Sequence, residues 1–244
     1  ESVADISPLG ETEEGVVSFT TTLAYSVYPD GMVDLASSIV SSNPDLALPR
    51  LGYEVKLPSQ YDQYTYYGRG PLNNYNDRKT GSFVGIYSST VGEQFVNFPK
   101  PQSMGNREDV RWCALTDKEG NGMLFVSEFD NISTSALPWS ALQMTLAQHP
   151  HELPKSDGTY LHLDCKVNGM GGNSCGQGGP LKPDRVQGAL HRIKLLLIPV
   201  MEEKELTRQV LVRRGLPCPV PILRDKAGKV TISGDPIVDT WNGS

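Results

Sequence analysis

Cysteine is scarce in this chain of 244 residues, which holds four: Cys113, Cys165, Cys175 and Cys218. No Cys-x-x-Cys pair occurs, so the ligand spacing of a structural zinc site is missing. The spacings also form no small secreted disulfide framework, which a chain of this length does not need to build a core. Long apolar runs are absent as well. No stretch approaches the roughly 18 consecutive apolar residues of a membrane-spanning helix. Positive charge is in deficit, with 22 Lys and Arg against 28 Asp and Glu and a net charge of −6. A nucleic-acid binder needs a basic face to neutralise phosphates. Neither nucleic acid nor a membrane is therefore an expected partner.

Glycine and proline, in contrast, are plentiful at 24 and 18 residues. That excess excludes a coiled coil or helical bundle and favours many short strands joined by tight turns. Alternation supports the same reading. Val17, Phe19, Thr21, Leu23, Tyr25 and Val27 recur at every second position, which puts them on one strand face. Pro29-Asp30-Gly31 then turns the chain, and residues 32–40 return as the partner strand. Further alternating runs are Leu51, Tyr53, Val55, Leu57; Val110, Trp112, Ala114; Leu161, Leu163, Cys165, Val167; and Ile193, Leu195, Leu197. Residues 117–122 form a polar turn between two of these strands, and 123–127 run back. Strands at short regular spacing, with no parallel βαβ rhythm, indicate a large antiparallel sandwich. In its strands Cys113 and Cys165 are expected as buried thiols. Residues 142–148 fit a short helix or one more strand equally well.

The ends have a different texture. Residues 1–15 are acidic and polar and read as a linker. No Met opens the chain and nothing closes it after Trp241, so it reads as an excerpt of something longer. Residues 1–200 are assigned to the sandwich and 201–221 to a linker, with 202–214 a surface helix or extended segment and Pro217, Pro219 and Pro221 stiffening its end. Residues 222–244 are too few to bury a core and read as the start of a following β module. Asn131 and Asn242 stand in Asn-x-Ser/Thr sites, which matter only where the source glycosylates.

Four segments carry candidate chemistry. Residues 66–79, YYGRGPLNNYNDRK, are rich in turn formers. They read either as a loop held by an Arg78–Asp77 pair and side-chain-to-backbone bonds, or as a sugar platform of Tyr67, Tyr75 and Arg69. Arg107, Glu108, Asp109 and Arg111 suggest an ion network or the floor of a polar pocket. His149-Pro150-His151-Glu152 looks like a ligand cluster, but residues two apart on an extended segment point to opposite faces. No metal site is expected there, nor any other cofactor in this chain. The glycine-rich run 169–179, GMGGNSCGQGG, can bring backbone N–H groups onto a ligand. It has neither the Gly-Lys-Ser/Thr of a phosphate loop nor a GxSxG elbow. The expectation is a shaped loop at the rim of a site, with Gly172, Asn173, Ser174, Cys175 and Gly176 bordering carbohydrate. No pair of carboxyl groups stands out for glycoside hydrolysis, and no catalytic residue is assigned.

Taken in order, LPRLG (48–52), YYGRGPLNNYNDRKTG (66–81), VGIYSSTVGEQF (84–95), PKPQSMGNREDVRW (99–112), HPHELP (149–154) and GMGGNSCG (169–176) carry a family resemblance. Together they resemble the fifth, small-chain domain of the large β-galactosidases of glycoside hydrolase family 2, over about residues 20–199. The resemblance implies an all-β antiparallel supersandwich similar to the galactose mutarotase fold, packed on a catalytic barrel. It also implies a parent enzyme that hydrolyses terminal β-galactosides with retention. Both catalytic glutamates of the family lie in that barrel, so this chain alone is expected to be inactive. In the family the glycine-rich loop often carries a Trp that stacks on the aglycone sugar. Cys175 stands at the matching position here, a departure that removes the ring face. Expected partners are the barrel and a β-galactoside, and any homo-oligomer forms through the parent. A trailing β module fits a periplasmic or secreted enzyme. A free-standing carbohydrate-binding module and a mutarotase-like epimerase are the alternatives. The epimerase needs a His acid and a Glu base facing one sugar, a pattern the His positions do not show.

Overall fold

The computed structural model of the chain describes residues 17–171 and 179–200 in full, with the backbone of 2–4, 222–224 and 230–232. The chain divides into two compact units, Glu1–Glu203 and Lys204–Ser244. The first unit runs β1 (Ser2–Ala4), β2 (Phe19–Val27), β3 (Val33–Ser41), β4 (Ala47–Leu48), β5 (Arg50–Leu57), β6 (Gln63–Gly70), β7 (Phe83–Thr90), β8 (Arg107–Val110), β9 (Trp112–Thr116), β10 (Gly122–Ser127), β11 (Ile132–Leu137), α1 (Ala141–Leu146), β12 (Thr159–Val167), β13 (Val186–Gln187) and β14 (His191–Val200). In the second unit β15 (Ile222–Arg224) pairs antiparallel with β16 (Val230–Ile232). The readings of residues 201–221 as a linker, and of 202–214 within it, lie outside the described residues.

Two antiparallel sheets make the first unit an all-β sandwich. The larger has the order β1-β2-β3-β14-β10-β9-β6-β7 and the smaller β5-β12-β11-β8. Alternation explains the strands. Along β6 every second residue is buried, so Tyr64 and Tyr66 point inward while Thr65 and Tyr67 face the other way. The shared core joins Leu35, Tyr64, Tyr66, Cys113, Leu115, Phe125, Ile193 and Leu195 of the larger sheet to Val110, Ile132, Ala136, Leu161 and Leu163 of the smaller. Truncating one such leucine to Ala costs about 2–5 kcal/mol. The Tyr64 and Thr134 hydroxyls bond to each other at 2.5 Å across the sandwich, so this buried pair is satisfied. Gly68 lets β6 run close against β8: a Cβ there would meet Val110 Cγ2 at 2.6 Å.

The chain changes sheet between β8 and β9. Asp109 takes a positive φ of 54° and Arg111 separates the two strands. The alternation of Val110, Trp112 and Ala114 therefore does not share one inward face. Val110 faces the core from the smaller sheet, while on β9 Cys113 and Leu115 are buried and Trp112 and Ala114 are partly covered. Cys165, expected buried, is half-buried beside a register shift in β12, and its Sγ donates to Leu51 O at 3.1 Å.

The alternating face of β2 is real but uncovered. Tyr25 lies opposite Leu35 in register, so both residues share a face. Leu35 is 8% exposed, whereas Tyr25 is 62% and Val27 74% exposed. The larger sheet overhangs the smaller one, and the inward face continues past its cover.

The undecided segment 142–148 is helix over 142–146, the greater part of α1. Ser140 Oγ accepts from Gln143 N at 3.1 Å, and Gln143 Oε1 accepts from Ser140 N at 2.8 Å, a reciprocal cap. Met144 of this helix buries against Met104 and Leu137 in a second, smaller core.

Candidate functional site

The glycine-rich run enters and leaves the described structure at Gly171 and Gly179. The candidates Gly172, Asn173, Ser174, Cys175 and Gly176 lie outside the described residues. Their stem is well defined. Asp77 accepts from Met170 N at 3.1 Å through one carboxylate oxygen and from Gly171 N at 2.7 Å through the other. Gly169 N donates to Asp184 O at 2.9 Å, and Asn168 N to Pro49 O at 2.9 Å. Asn168 Oδ1 accepts from Val186 N at 3.2 Å. A Cβ at Gly169 would lie 2.6 Å from the Asp77 carboxylate and push it off its bonds to Met170 and Gly171. A charged acceptor on two consecutive N–H groups is a strong hold on a glycine-rich backbone.

Asp77 belongs to the segment YYGRGPLNNYNDRK, most of whose polar side chains have partners within the protein. Arg78 donates to Asn73 Oδ1 at 3.1 Å, so the expected Arg78–Asp77 pair gives way to two separate contacts. Asn74 is fully buried. Its Nδ2 donates to Arg69 O at 3.0 Å and Leu72 O at 2.9 Å, and its Oδ1 accepts from Glu108 N at 2.8 Å. Arg69 donates to Asp109, which also accepts from Lys79 Nζ at 3.0 Å. Tyr75 is buried beneath Arg78, and Tyr67 packs on Trp112 with Arg111 over its ring. The sugar platform of Tyr67, Tyr75 and Arg69 does not form, because each of these side chains already has a partner.

Arg107 and Glu108 lie inside rather than on the surface. Arg107 donates to Tyr66 OH at 2.8 Å, Gln94 Oε1 at 2.6 Å, and the Gly105 and Asn106 carbonyls. Glu108 Oε1 accepts from Asn106 Nδ2 at 2.7 Å and Ser133 Oγ at 2.8 Å. Burial raises the Glu108 carboxyl against those two bonds, which lower it.

Beside the stem opens a cavity of about 490 Å³ whose walls include Arg50, Tyr75, Ser135, His162, Asn168 and Met170. Ser135 Oγ is buried without a hydrogen-bond partner. His162 Nε2 lies 3.1 Å from Glu54 Oε2. Burial, with Arg50 adding to it, pulls His162 down to about 3. Because burial keeps the imidazole neutral, its contact with Glu54 is no ion pair. Behind the wall Asp164 Oδ2 sits 3.8 Å from Arg50 Nη1 with no hydrogen-bond partner. Burial pushes its carboxyl up to about 7 against the pull of Arg50. A guanidinium, a neutral imidazole and a free hydroxyl in one cavity can hydrogen-bond a polyhydroxylated ligand. A larger groove of about 790 Å³ lies between the β10–β11 turn and β14, away from these groups.

Elsewhere, His149, His151 and Glu152 each offer a ligand atom within 4.8 Å of the others. Sequence alternation missed this because the segment is a 3-10 turn, Pro150–Glu152, and not a strand. Proline at the first position of such a turn was the available signal.

The profile of the family described as "Beta galactosidase small chain" matches residues 4–196, most of the chain. The chain belongs to that family. The small-chain domain is 33% identical over 155 residues to a beta-galactosidase of Priestia megaterium, covering 64% of this chain and 15% of that protein. A beta-galactosidase of Arthrobacter sp. is 34% identical over 148 residues, covering 59% of this chain and 14% of its own. One from Vibrio cholerae is 30% identical over 173 residues, covering 71% of this chain and 16% of its own. The chain thus spans about 15% of the length of these curated relatives. Among the small-chain residues, sequence reasoning missed Asp77 as the anchor of the glycine-rich stem and His162 and Ser135 as cavity walls. Asp77 was legible only as a turn former, His162 sits in β12, which reads as core, and Ser135 sits in β11, which carried no alternating signal.

Proposed function

We propose that this chain is the non-catalytic small-chain domain of a β-galactosidase that hydrolyses terminal β-galactosides. In this reading it packs against the catalytic barrel and lends the segment Gly172–Gly176 to the rim of the substrate site. One observation carries the reading: the family match runs along residues 4–196, yet the chain covers only about 15% of its beta-galactosidase relatives. The clamped stem agrees with it, because a loop that borders a site has to be held at its base. The uncovered stripe of β2 agrees too, as apolar surface left for a further body. The pure chain is expected to give no turnover of a chromogenic β-galactoside, and the parent containing it to turn over normally. Hydrolysis by the chain alone would end the reading. Cys175→Trp in the parent is expected to change KM and transglycosylation, since a ring face would return to the aglycone side.

A second reading, carbohydrate binding by the chain itself, is favoured by the unpartnered Ser135 hydroxyl at the 490 Å³ cavity. Calorimetric titration with galactose and lactose tests it. Heat that disappears in Ser135→Ala supports it, and absence of heat removes it.

A further inference from the structure

The turn after α1 has a chemistry that the galactosidase reading does not use. On an extended strand His149 and His151 would diverge, but Glu152 N donates to His149 O at 3.0 Å and Leu153 N to Pro150 O at 3.2 Å. That turn brings the two imidazoles into a stack, with centroids 5.4 Å apart and planes 17° from parallel. The carboxylate is held on the same side. Glu152 Oε2 accepts from Gln148 N at 2.8 Å, while Oε1 lies 2.9 Å from His149 Nδ1. A local cap accounts for the Glu152 contacts but not for His151, which has no role in it. One donor atom from each of the three residues falls within 4.8 Å of the others. Bonds of about 2.0–2.2 Å to a shared ion put tetrahedral ligand atoms roughly 3.3–3.5 Å apart. The His149–Glu152 contact of 2.9 Å has to open by about half an ångström to reach that span, and His151 closes the rest by side-chain rotation. All three residues are exposed, so no charge has to be buried and water can fill the remaining positions.

We propose that His149, His151 and Glu152 form a surface site for a borderline divalent transition ion, with Zn²⁺ the representative. Two imidazole nitrogens and one carboxylate oxygen suit Zn²⁺, Ni²⁺ or Cu²⁺. Mg²⁺ and Ca²⁺ require oxygen-rich sets and are poorly matched. Neutral imidazoles are the ligating form, so acid releases the ion.

The test is calorimetric titration of the 244-residue chain with a zinc salt at about pH 7.5, together with NMR of the histidine side chains. One ion per chain is expected, with the His149 and His151 resonances moving and those of His162 and His191 staying in place. Glu152→Gln is expected to weaken binding by about tenfold or more. The double substitution His149→Ala, His151→Ala is expected to abolish binding while the circular dichroism spectrum stays unchanged, and a magnesium salt is expected to give no heat. Absence of zinc binding, undiminished binding in the double variant, or shifts confined to other histidines would each overturn the proposal.

Discussion

Asp164 and His162 stand two residues apart on β12, and burial drives their titrations in opposite senses for stability. Asp164 is raised from 3.8 to about 7. Between those values the folded chain keeps a proton that the unfolded chain has released, so this group's stabilisation is present at low pH and is lost as pH rises towards 7. His162 is lowered from 6.5 to about 3. Its stabilisation is present above the unfolded value and is lost as pH falls, because the unfolded chain gains a proton that the folded one refuses. Each shift corresponds to a differential on the order of 4 kcal/mol. From about pH 4 to 6.5 the two slopes cancel. Removing one group exposes the other. His162→Gln is expected to have urea midpoints that fall as pH rises from about 4 to 7, and Asp164→Asn midpoints that rise over about 4 to 6.5. Profiles parallel to the unaltered chain in both variants would refute the assignment. Asp77 is the other residue with an outsized role. Asp77→Ala removes the acceptor for Met170 and Gly171, so amide exchange at those two positions is expected to speed up while the unfolding free energy stays within about 1 kcal/mol of the unaltered chain, because both bonds are exposed.

At the scale of elements, α1 owes its start to four residues. Ser140→Ala removes the hydroxyl that accepts from Gln143 and is expected to cost about 1 kcal/mol, read as a lower urea midpoint with an unchanged slope. The Ser-x-x-Gln spacing was present in the sequence and decides helix over strand where periodicity could not. Strand existence was legible in β2, β5, β12 and β14 because each has period-two apolar runs, and in β3 as the return from the Pro29-Asp30-Gly31 turn; β6 was not, since residues 66–79 read as a loop whereas 63–70 are a strand. What each face meets was not legible. Alternation says that Tyr25 and Leu35 share a side, but not that the opposing sheet stops short of Tyr25. Nor does it reveal the change of sheet at Arg111, which depends on a single positive φ at Asp109 in a residue type that tolerates it. In the candidate site the same boundary holds. Glycine density marked the loop, and local chemistry marked the 66–79 turn. The bond between them spans 93 residues from Asp77 to Met170 and leaves no periodic trace.

For the molecule as a whole, the mismatch of an eight-stranded and a four-stranded sheet matters most. A sandwich whose sheets differ this much in width has to leave part of the wider inner face without a partner. Here that part is the β2 stripe of Leu23, Tyr25 and Val27, exposed by 39%, 62% and 74%. Water against such a stripe forfeits about 25 cal/mol for every Å² that could be covered, which favours a further body against it, the place that the proposed function gives to the catalytic barrel. The stripe contributes little to the fold of the unit itself, since its side chains lie outside the core formed by Leu35, Tyr64 and their neighbours. Stability and assembly can therefore be separated. The double substitution Tyr25→Ser, Val27→Thr is expected to leave the unfolding free energy of the isolated chain, from urea titration, within about 0.5 kcal/mol of its starting value. In the complete enzyme the same pair is expected to lower the temperature at which activity is lost and to speed proteolytic release of the small-chain unit. A large loss of stability in the isolated chain would mean that the stripe is core. An unaltered complete enzyme would mean that the remainder of the parent seats elsewhere.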